Sequence, residues 1–505
     1  MKNYNLVWIL VDSVRKYYSD DDRSRIKIMD KFAKNGIEFK NVVTSAPSTI
    51  MSISSMMTST PAYHLGRTYD EFWLDKNYFV NLPSVLKKYG WNNQSIIMLP
   101  EIREKLNFLD LLKKEYWPEN YSHKDHWNNK DVFNILKNAL EKQSSVKTEK
   151  PCFWFLDFNC RQDKETSNIV EDSIDILKEY GFNSDNTIFV LCSDHGYPDP
   201  SSGITPELLK KQNLTHDIFM TDDNIMIPLI FSYPGCKKNH KVSPLCSTLD
   251  IMPTILEILE IEIPNNDKKK IHGTSLLNYI NEKGIINNNK KIRVDARFLN
   301  QDNRISALRG NNHKIVYYHD PKKYEFFSVG QSHLDEKKID IENNPQAFNE
   351  FKTEFIKSEE LALDAQAKYL IFRLNNKILD FNKFSDILII YKNKLMSDAV
   401  EKAIGKLNKL NVSTLDISDN QYNNKKIFDL IIIISDDYNK NLKNLLSKIN
   451  YKKKIFMDNN MNVSKRFMSI KKFLRNLYNN KNLYIQEPTL IFWLIKNIFM
   501  RMIKK

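Results

Sequence analysis

Four places in the sequence put metal-ligating or nucleophilic side chains where a strand ends or a helix begins. The richest is TIFVLCSDHG at residues 187–196. Ile188 to Cys192 form a continuous apolar run, the pattern of a strand covered on both faces. Asp194 and His195 follow at once, and Gly196 lets the chain turn away. A carboxylate beside an imidazole can hold one divalent cation from one rigid point. Mixed oxygen and nitrogen ligation suits zinc, manganese or magnesium better than a thiolate site does. Asp12 repeats the arrangement after the apolar run that closes at Val11, and His216 precedes a third run, IMIPLIF at 225–231. In residues 45–66, SAPSTIMSISSMMTSTPAYHLG, Pro47 breaks the chain. Ser48 or Thr49 can cap a helix whose apolar positions are Ile50, Ile53, Met56 and Met57. A hydroxyl there can attack an anionic ester whose oxygens face the helix N–H groups. Each feature also has a plainer explanation, a polar turn or an ordinary N-cap.

These residues need elements to position them. Apolar runs at 6–11, 37–43, 94–98, 153–158, 187–192 and 225–231 predict strands. Helical patterns at 24–35, 83–89, 131–142, 168–180 and 246–258 alternate with them. That order predicts an α/β fold with a mainly parallel sheet, whose carboxyl edge is where ligands bind. Residues 293–318 read as strands, 324–344 as polar and turn-rich, and 347–365 as a charged helix. Beyond them, strand patterns near 386–391, 412–418, 428–437 and 453–459 alternate with helices at 396–409 and 440–449, like half of a Rossmann-like unit. Gly405 is the single glycine after residue 365, so no glycine-rich dinucleotide loop is present. The expected division is a catalytic domain at 1–345, a linker or closing helix at 346–380, and a small α/β domain at 381–505.

The chain has 505 residues, 42% hydrophobic, with a formal net charge of +13. That balance favours an anionic partner or, equally, a solvated lysine-rich surface. Nothing points to nucleic acid. Five scattered cysteines argue against a disulfide framework. The absence of a signal-like segment makes a cytoplasmic location the expectation. The tail at 488–505 is basic, aromatic and amphipathic; it reads as a docked terminal helix or as a peripheral contact with the inner membrane surface. The oligomeric state is left open.

Taken in order, Asp12 after the first strand, Thr49 at a helix start, SDHG and a later His resemble the sulfatase-like branch of the alkaline phosphatase superfamily. The resemblance covers roughly residues 5–345 and includes VDSVR, IMIPLIF with YPG, TLDIMPTILEILEIEIP and HGTSL. It implies an alkaline-phosphatase-like sandwich. It also implies one divalent ion (zinc, manganese, magnesium or calcium) held by Asp12, Thr49, Asp194 and His195. The family places a Cys, Ser or Thr nine residues before a Thr; Thr49 stands nine before Thr58. A threonine cannot become the formylglycine of classical sulfatases, so the resemblance points to the threonine-nucleophile members, which cleave or transfer phospho groups. Thr49 would form the covalent intermediate, and water or an acceptor alcohol would resolve it. His216 would bind a non-bridging oxygen or the leaving group, or complete the metal shell. The family's substrate-contacting His after the middle strand is missing from FLDFNCR. Asp157 and Arg161 are the candidate substitutes, and Arg15 of VDSVR is a third substrate-binding candidate. The reaction expected is hydrolysis or transfer of a phosphate or sulfate ester, on a saccharide or envelope glycan. The alternative is a catalytically degraded member that binds a glycan or a partner.

Overall fold

The computed structural model describes residues 1–16, 27–65, 78–106, 109–113, 115, 117, 121–122, 125–144, 150–159, 164–199, 203–205, 207–208, 215–282, 289–296, 304–319, 321–330 and 332–377. Beyond these it describes 386–391, 411–416, 427–434, 446, 450–457 and 463–464. The chain divides into two units, Met1–Phe372 and Arg373–Lys505.

The first unit is built on a seven-stranded sheet. Its strands are β1 (Asn5–Asp12), β2 (Ile37–Val43), β3 (Asn92–Ile96), β4 (Cys152–Asn159), β5 (Thr187–Cys192), β6 (Met226–Ser232) and β7 (His240–Ser247), in the order β3-β4-β1-β5-β6-β2-β7. All neighbours pair in parallel except β6, which runs against both β5 and β2. The reversal matters for the site. A reversed strand begins at the edge where its neighbours end, so the segment before β6 arrives beside the carboxyl ends of β1 and β5.

Alternation along β1 sorts its side chains. Val7, Ile9 and Val11 join Trp154, Leu156, Phe158, Phe189 and Leu191 in one apolar core. It is covered by α1 (Lys27–Lys34), α3 (Asn129–Ser144) and α4 (Lys164–Glu179). Leu6, Trp8, Leu10 and finally Asp12 take the opposite face. The short helix α2 (Thr49–Thr58) is buried along its whole length. It packs against the 3₁₀ turn Thr248–Asp250 and α5 (Ile251–Ile258).

A second sheet, wholly antiparallel, follows: β8 (Ile292–Ala296), β9 (Ile305–Arg309), β10 (His313–Tyr318), β11 (Lys323–Ser328) and β12 (Lys337–Lys338), in the order β12-β11-β10-β9-β8. One face packs on α6 (Pro345–Lys377) through Leu308, Ile315, Phe326, Phe348, Phe351 and Phe355. The other carries Val294, Ala307 and Val316 against Val43, Met220 and Met226 at the first sheet. An ion cluster sits beside that seam. Asp222, fully buried, meets Arg309 Nη2 at 2.9 Å and Lys314 Nζ at 3.0 Å, and Lys314 also meets Glu336 at 2.8 Å. Burial alone would push the Asp222 carboxyl up; Lys314 and Arg309 outweigh it and hold it down at about 2.

The second unit holds β13 (Asp386–Tyr391), β14 (Asn411–Asp416), β15 (Ile427–Ile434), β16 (Asn450–Met457) and β17 (Val463–Ser464), in the order β14-β13-β15-β16-β17, parallel except for β17. The expected helix at 396–409, nearly all of the one at 440–449, and the tail at 488–505 lie outside the described residues. No helix among the described residues is long and apolar enough to cross a membrane. Residues 373–505 carry 26 Lys and Arg against 11 Asp and Glu, so the chain's positive excess resides in this unit and not around the candidate site.

Two elements differ from expectation. Cys246 and Ser247 end a strand, β7, before α5 begins, and Pro244 within it obscured the pattern. An edge strand tolerates that proline, and β7 pairs only with β2. The polar stretch from residue 324 contains β11, whose solvent-facing side keeps its sequence polar.

Removing the carboxylate of the ion cluster leaves Arg309 without its buried counter-ion. Asp222→Ala is expected to destabilise the first unit by about 3–5 kcal/mol, read as a lower urea midpoint by tryptophan fluorescence.

Candidate metal centre and active site

Asp12 ends β1, and the chain then turns through Ser13, whose φ of 64° is in the left-handed region. A non-glycine residue takes that conformation at a cost. The turn aims the Ser13 N–H at Asp194 Oδ1 (3.1 Å), while the Ser13 hydroxyl donates to Asp12 Oδ1 (2.5 Å). Asp194 and His195 leave the end of β5 beside it, both fully buried. Ser193 Oγ accepts from the Val14 N–H (2.9 Å) and donates to the His195 carbonyl, which ties the two turns together.

One oxygen each of Asp12 and Asp194 and one nitrogen of His195 lie within 4.8 Å of one another. His195 Nε2 is 3.3 Å from Asp194 Oδ2 and 3.7 Å from Asp12 Oδ1. The other ring nitrogen, Nδ1, is 2.7 Å from the Gly196 carbonyl. A carbonyl only accepts, so Nδ1 carries the hydrogen and Nε2 presents a lone pair to the carboxylates. That is the tautomer a metal ligand needs.

A divalent cation fits this donor set. Asp194 Oδ2 is buried and makes no hydrogen bond among the described residues, and a buried carboxylate oxygen without a donor is costly unless something positive meets it. The crowding shows in the acidities. Burial, then Asp194, pushes Asp12 up to about 6, against the opposing pull of His195 and Ser13. Burial pulls His195 down, but Asp194 and Asp12 outweigh it and the net direction is up.

Thr49 opens α2, with Oγ1 3.3 Å from His195 Nε2. Ser48 is the N-cap in extended conformation, yet its side chain makes no capping bond. The first-turn amides of α2 therefore have no side-chain cap, the condition in which a helix start receives ligand oxygens. Ser52, one turn on, donates to the Asp194 carbonyl (2.7 Å) and meets Thr44 Oγ1 (2.9 Å), so the helix is pinned to the carboxylate turn. Ser59, where the family pattern has Gly, closes α2 with φ 50°. Its hydroxyl offsets the strain by donating to the Leu249 carbonyl and accepting from the Gly273 N–H.

His216 starts a 3₁₀ turn before β6, its ring centroid 4.8 Å from that of His195 and 5.2 Å from that of Tyr197. Burial, then His195, pulls it down to about 4. Thus Asp12, Thr49, Asp194, His195 and His216 all converge. Two of the three substrate-binding candidates fall among the described residues. Asp157 faces the same side of the sheet as Asp12, but it is 1% exposed and accepts from the Met98 N–H (3.2 Å). Burial, then Asp12 and Asp194, raises its carboxyl well above the usual range. Arg15 is buried and paired with Asp199 at 2.8 Å. Arg161 lies outside the described residues. Ser13 lies within VDSVR and Ser52 where the family motif has its Ser, but neither was given a role from sequence; Asn224, which helps to hold the site together, was not singled out.

A mainly parallel sheet whose strand ends converge on two carboxylates, an imidazole and a helix-start hydroxyl defines the alkaline-phosphatase-like class. Residues 4–159 match the Sulfatase family model, and residues 213–358 match the C-terminal model of N-sulphoglucosamine sulphohydrolase. The two matches cover separate parts of the first unit, and both models describe sulfatases. It is 30% identical over 156 residues to arylsulfatase K of Canis lupus familiaris, covering 28% of this chain and 26% of the relative. It is 22% identical over 330 residues to an ulvan-active sulfatase of Formosa agariphila, covering 52% and 62%. The matched stretches thus span less than two thirds of either relative. Among solved structures, Ps i-CgsB in complex with k-i-k-neocarrahexaose superimposes with a TM-score of 0.55 at 15% identity, covering 70% of this chain and 92% of that one. A 2-O GAG sulfatase gives 0.55 at 14%, covering 73% and 94%.

Cation binding requires Asp12 to be ionised. Calcium or manganese titrated by calorimetry is expected to bind at one site at pH 7.5 and to weaken by up to about a hundredfold per pH unit below pH 6, where both the Asp12 carboxyl and the His195 ring carry protons that the cation must displace. Asp194→Ala is expected to abolish that binding.

Proposed function

We propose that this protein hydrolyses sulfate esters of a saccharide, with Thr49 as the nucleophile. The observation that carries the reading is the position of the Thr49 hydroxyl. It stands at the side-chain-uncapped start of α2 and against His195 Nε2 of the carboxylate–imidazole cluster. The matches to two sulfatase family models support the reaction class. The saccharide reading draws on the relatives, among them an ulvan-active sulfatase and a 2-O GAG sulfatase.

Asp12, Asp194, His195 and the Thr49 oxygen would hold one divalent ion, which would supply positive charge for the ester oxygens and lower the pKa of the threonine hydroxyl. The first-turn amides of α2 receive the non-bridging oxygens. Thr49 Oγ1 bonds to sulfur as the sulfur–oxygen bond to the sugar breaks; the electron pair leaves with the sugar oxygen, which takes up the proton that the Thr49 hydroxyl loses and departs as the alcohol. Water then attacks sulfur, restoring the hydroxyl and releasing sulfate and a proton. His216, held neutral by burial and His195, offers its ring N–H as a hydrogen bond to the departing oxygen. A threonine nucleophile would serve transfer of a phospho group by the same in-line displacement. The family and relatives favour sulfate.

The test is a panel of aryl and saccharide sulfates, an aryl phosphate monoester and a diester. Sulfate turnover that falls by at least about a thousandfold in Thr49→Ala, with cation binding retained, is the expected result. Activity that survives Thr49→Ala overturns the nucleophile assignment. Saccharide binding with no turnover in the wild type favours the binding-protein alternative.

A further inference from the structure

The segment from Thr221 to Met226 bonds to the stretches that carry Asp12, Thr49, His195 and His216. The Gly196 N–H, next to His195, donates to the Asn224 carbonyl (2.8 Å). The Thr44 N–H, on the approach to Thr49, donates to the Ile225 carbonyl (2.9 Å), and the Lys16 N–H, after Asp12, donates to the Met226 carbonyl (3.1 Å). Gly196 lies so close that a Cβ there would sit 2.0 Å from the Asp223 carbonyl oxygen. These are backbone contacts, indifferent to side-chain identity. The link to His216 is made by a side chain. Asn224 Nδ2 donates to the His216 carbonyl and to the Phe219 carbonyl, each at 2.8 Å, and Asn224 is fully buried.

We infer that Asn224 is the positioning residue for His216. Both amide hydrogens are committed to the two ends of the three-residue turn His216–Ile218, so they fix where the turn begins and where it ends. The turn makes one internal backbone bond, from the Phe219 N–H to the His216 carbonyl (3.2 Å), and a single 3₁₀ turn is weakly self-supporting. The Asn224 backbone is itself fixed, through Asp222 two residues before it, by Arg309 and Lys314 of the second sheet. The inference rests on the proposed sulfate-ester chemistry for its kinetic consequence, but not for its geometry.

The test compares Asn224→Ala and Asn224→Ser with His216→Ala on phenyl sulfate and on 4-nitrophenyl sulfate, whose phenolate departs more readily. A group that assists the departing oxygen matters more for the poorer leaving group. Asn224→Ala is expected to lower kcat on phenyl sulfate by about a hundredfold and on 4-nitrophenyl sulfate by a few-fold, with little change in KM. Asn224→Ser keeps one donor and is expected to fall between. The double variant is expected to be no worse than His216→Ala, because the two residues act as a unit. Equal losses on both esters, or additive losses in the double variant, would show a merely structural role and overturn the inference. A crystal structure of Asn224→Ser, or of Asn224→Ala where it folds, is expected to show the His216 ring moved from its contact with His195; a ring left in place overturns the inference whatever the activity. If the wild type turns over no sulfate ester while the ring moves, the proposed reaction fails and the positioning role stands.

Discussion

The site depends on the burial of Asp222 between two cationic side chains. Arg309 and Lys314 come from the second sheet, and Asp222 comes from the turn that enters β6 of the first. A carboxylate removed from water in this way persists only because it is paired twice. The pairing fixes the 221–226 turn, and the turn in turn receives the backbone N–H groups of Thr44, Gly196 and Lys16. The antiparallel sheet is therefore more than a cover for the parallel one. It anchors the segment against which three site-bearing turns are hydrogen-bonded.

The same economy of charge runs through the centre. Asp194 makes both Asp12 and Asp157 harder to ionise, and Asp12 adds to the effect on Asp157. His195 and Ser13 offset part of that repulsion, Ser13 through its amide and its hydroxyl. One carboxylate oxygen, Asp194 Oδ2, is left with no hydrogen bond among the described residues. A cluster arranged this way is better matched to a divalent cation than to protons alone. The nearby arginines do not supply the missing charge: Arg15 is paired with Asp199, and Arg309 with Asp222.

Much of this was legible in the residues. The strands β1, β4, β5 and β6 are buried on both faces, so their sequences are nearly continuous apolar runs, and polar residues at their ends stand out. Asp12, Asp194 and His195 were visible for that reason. Thr49 needed its spacing to Thr58, since a Ser/Thr-rich helix start has many bland uses. Asp157 and Arg15 entered as substrate-ligand candidates through the resemblance, Asp157 as a stand-in for the missing histidine; in the fold Asp157 accepts from a backbone amide and Arg15 meets a carboxylate. β7 and β11 escaped notice because an edge or half-exposed strand does not need a continuous apolar run.

The sequence by itself determined the class of fold, the sulfatase-family motifs and the identity of the groups able to do chemistry, because strand periodicity and motif spacing are local properties. Only the tertiary structure decided which of those groups meet. The reversed direction of β6 carries His216 to the edge where β1 and β5 end, although 204 positions separate it from Asp12. The Asn224 amide and the Asp222 ion cluster are likewise products of long-range packing. An asparagine or aspartate in an otherwise ordinary segment gains its role from the carbonyls and cations that the fold brings to it, and those partners leave no local mark.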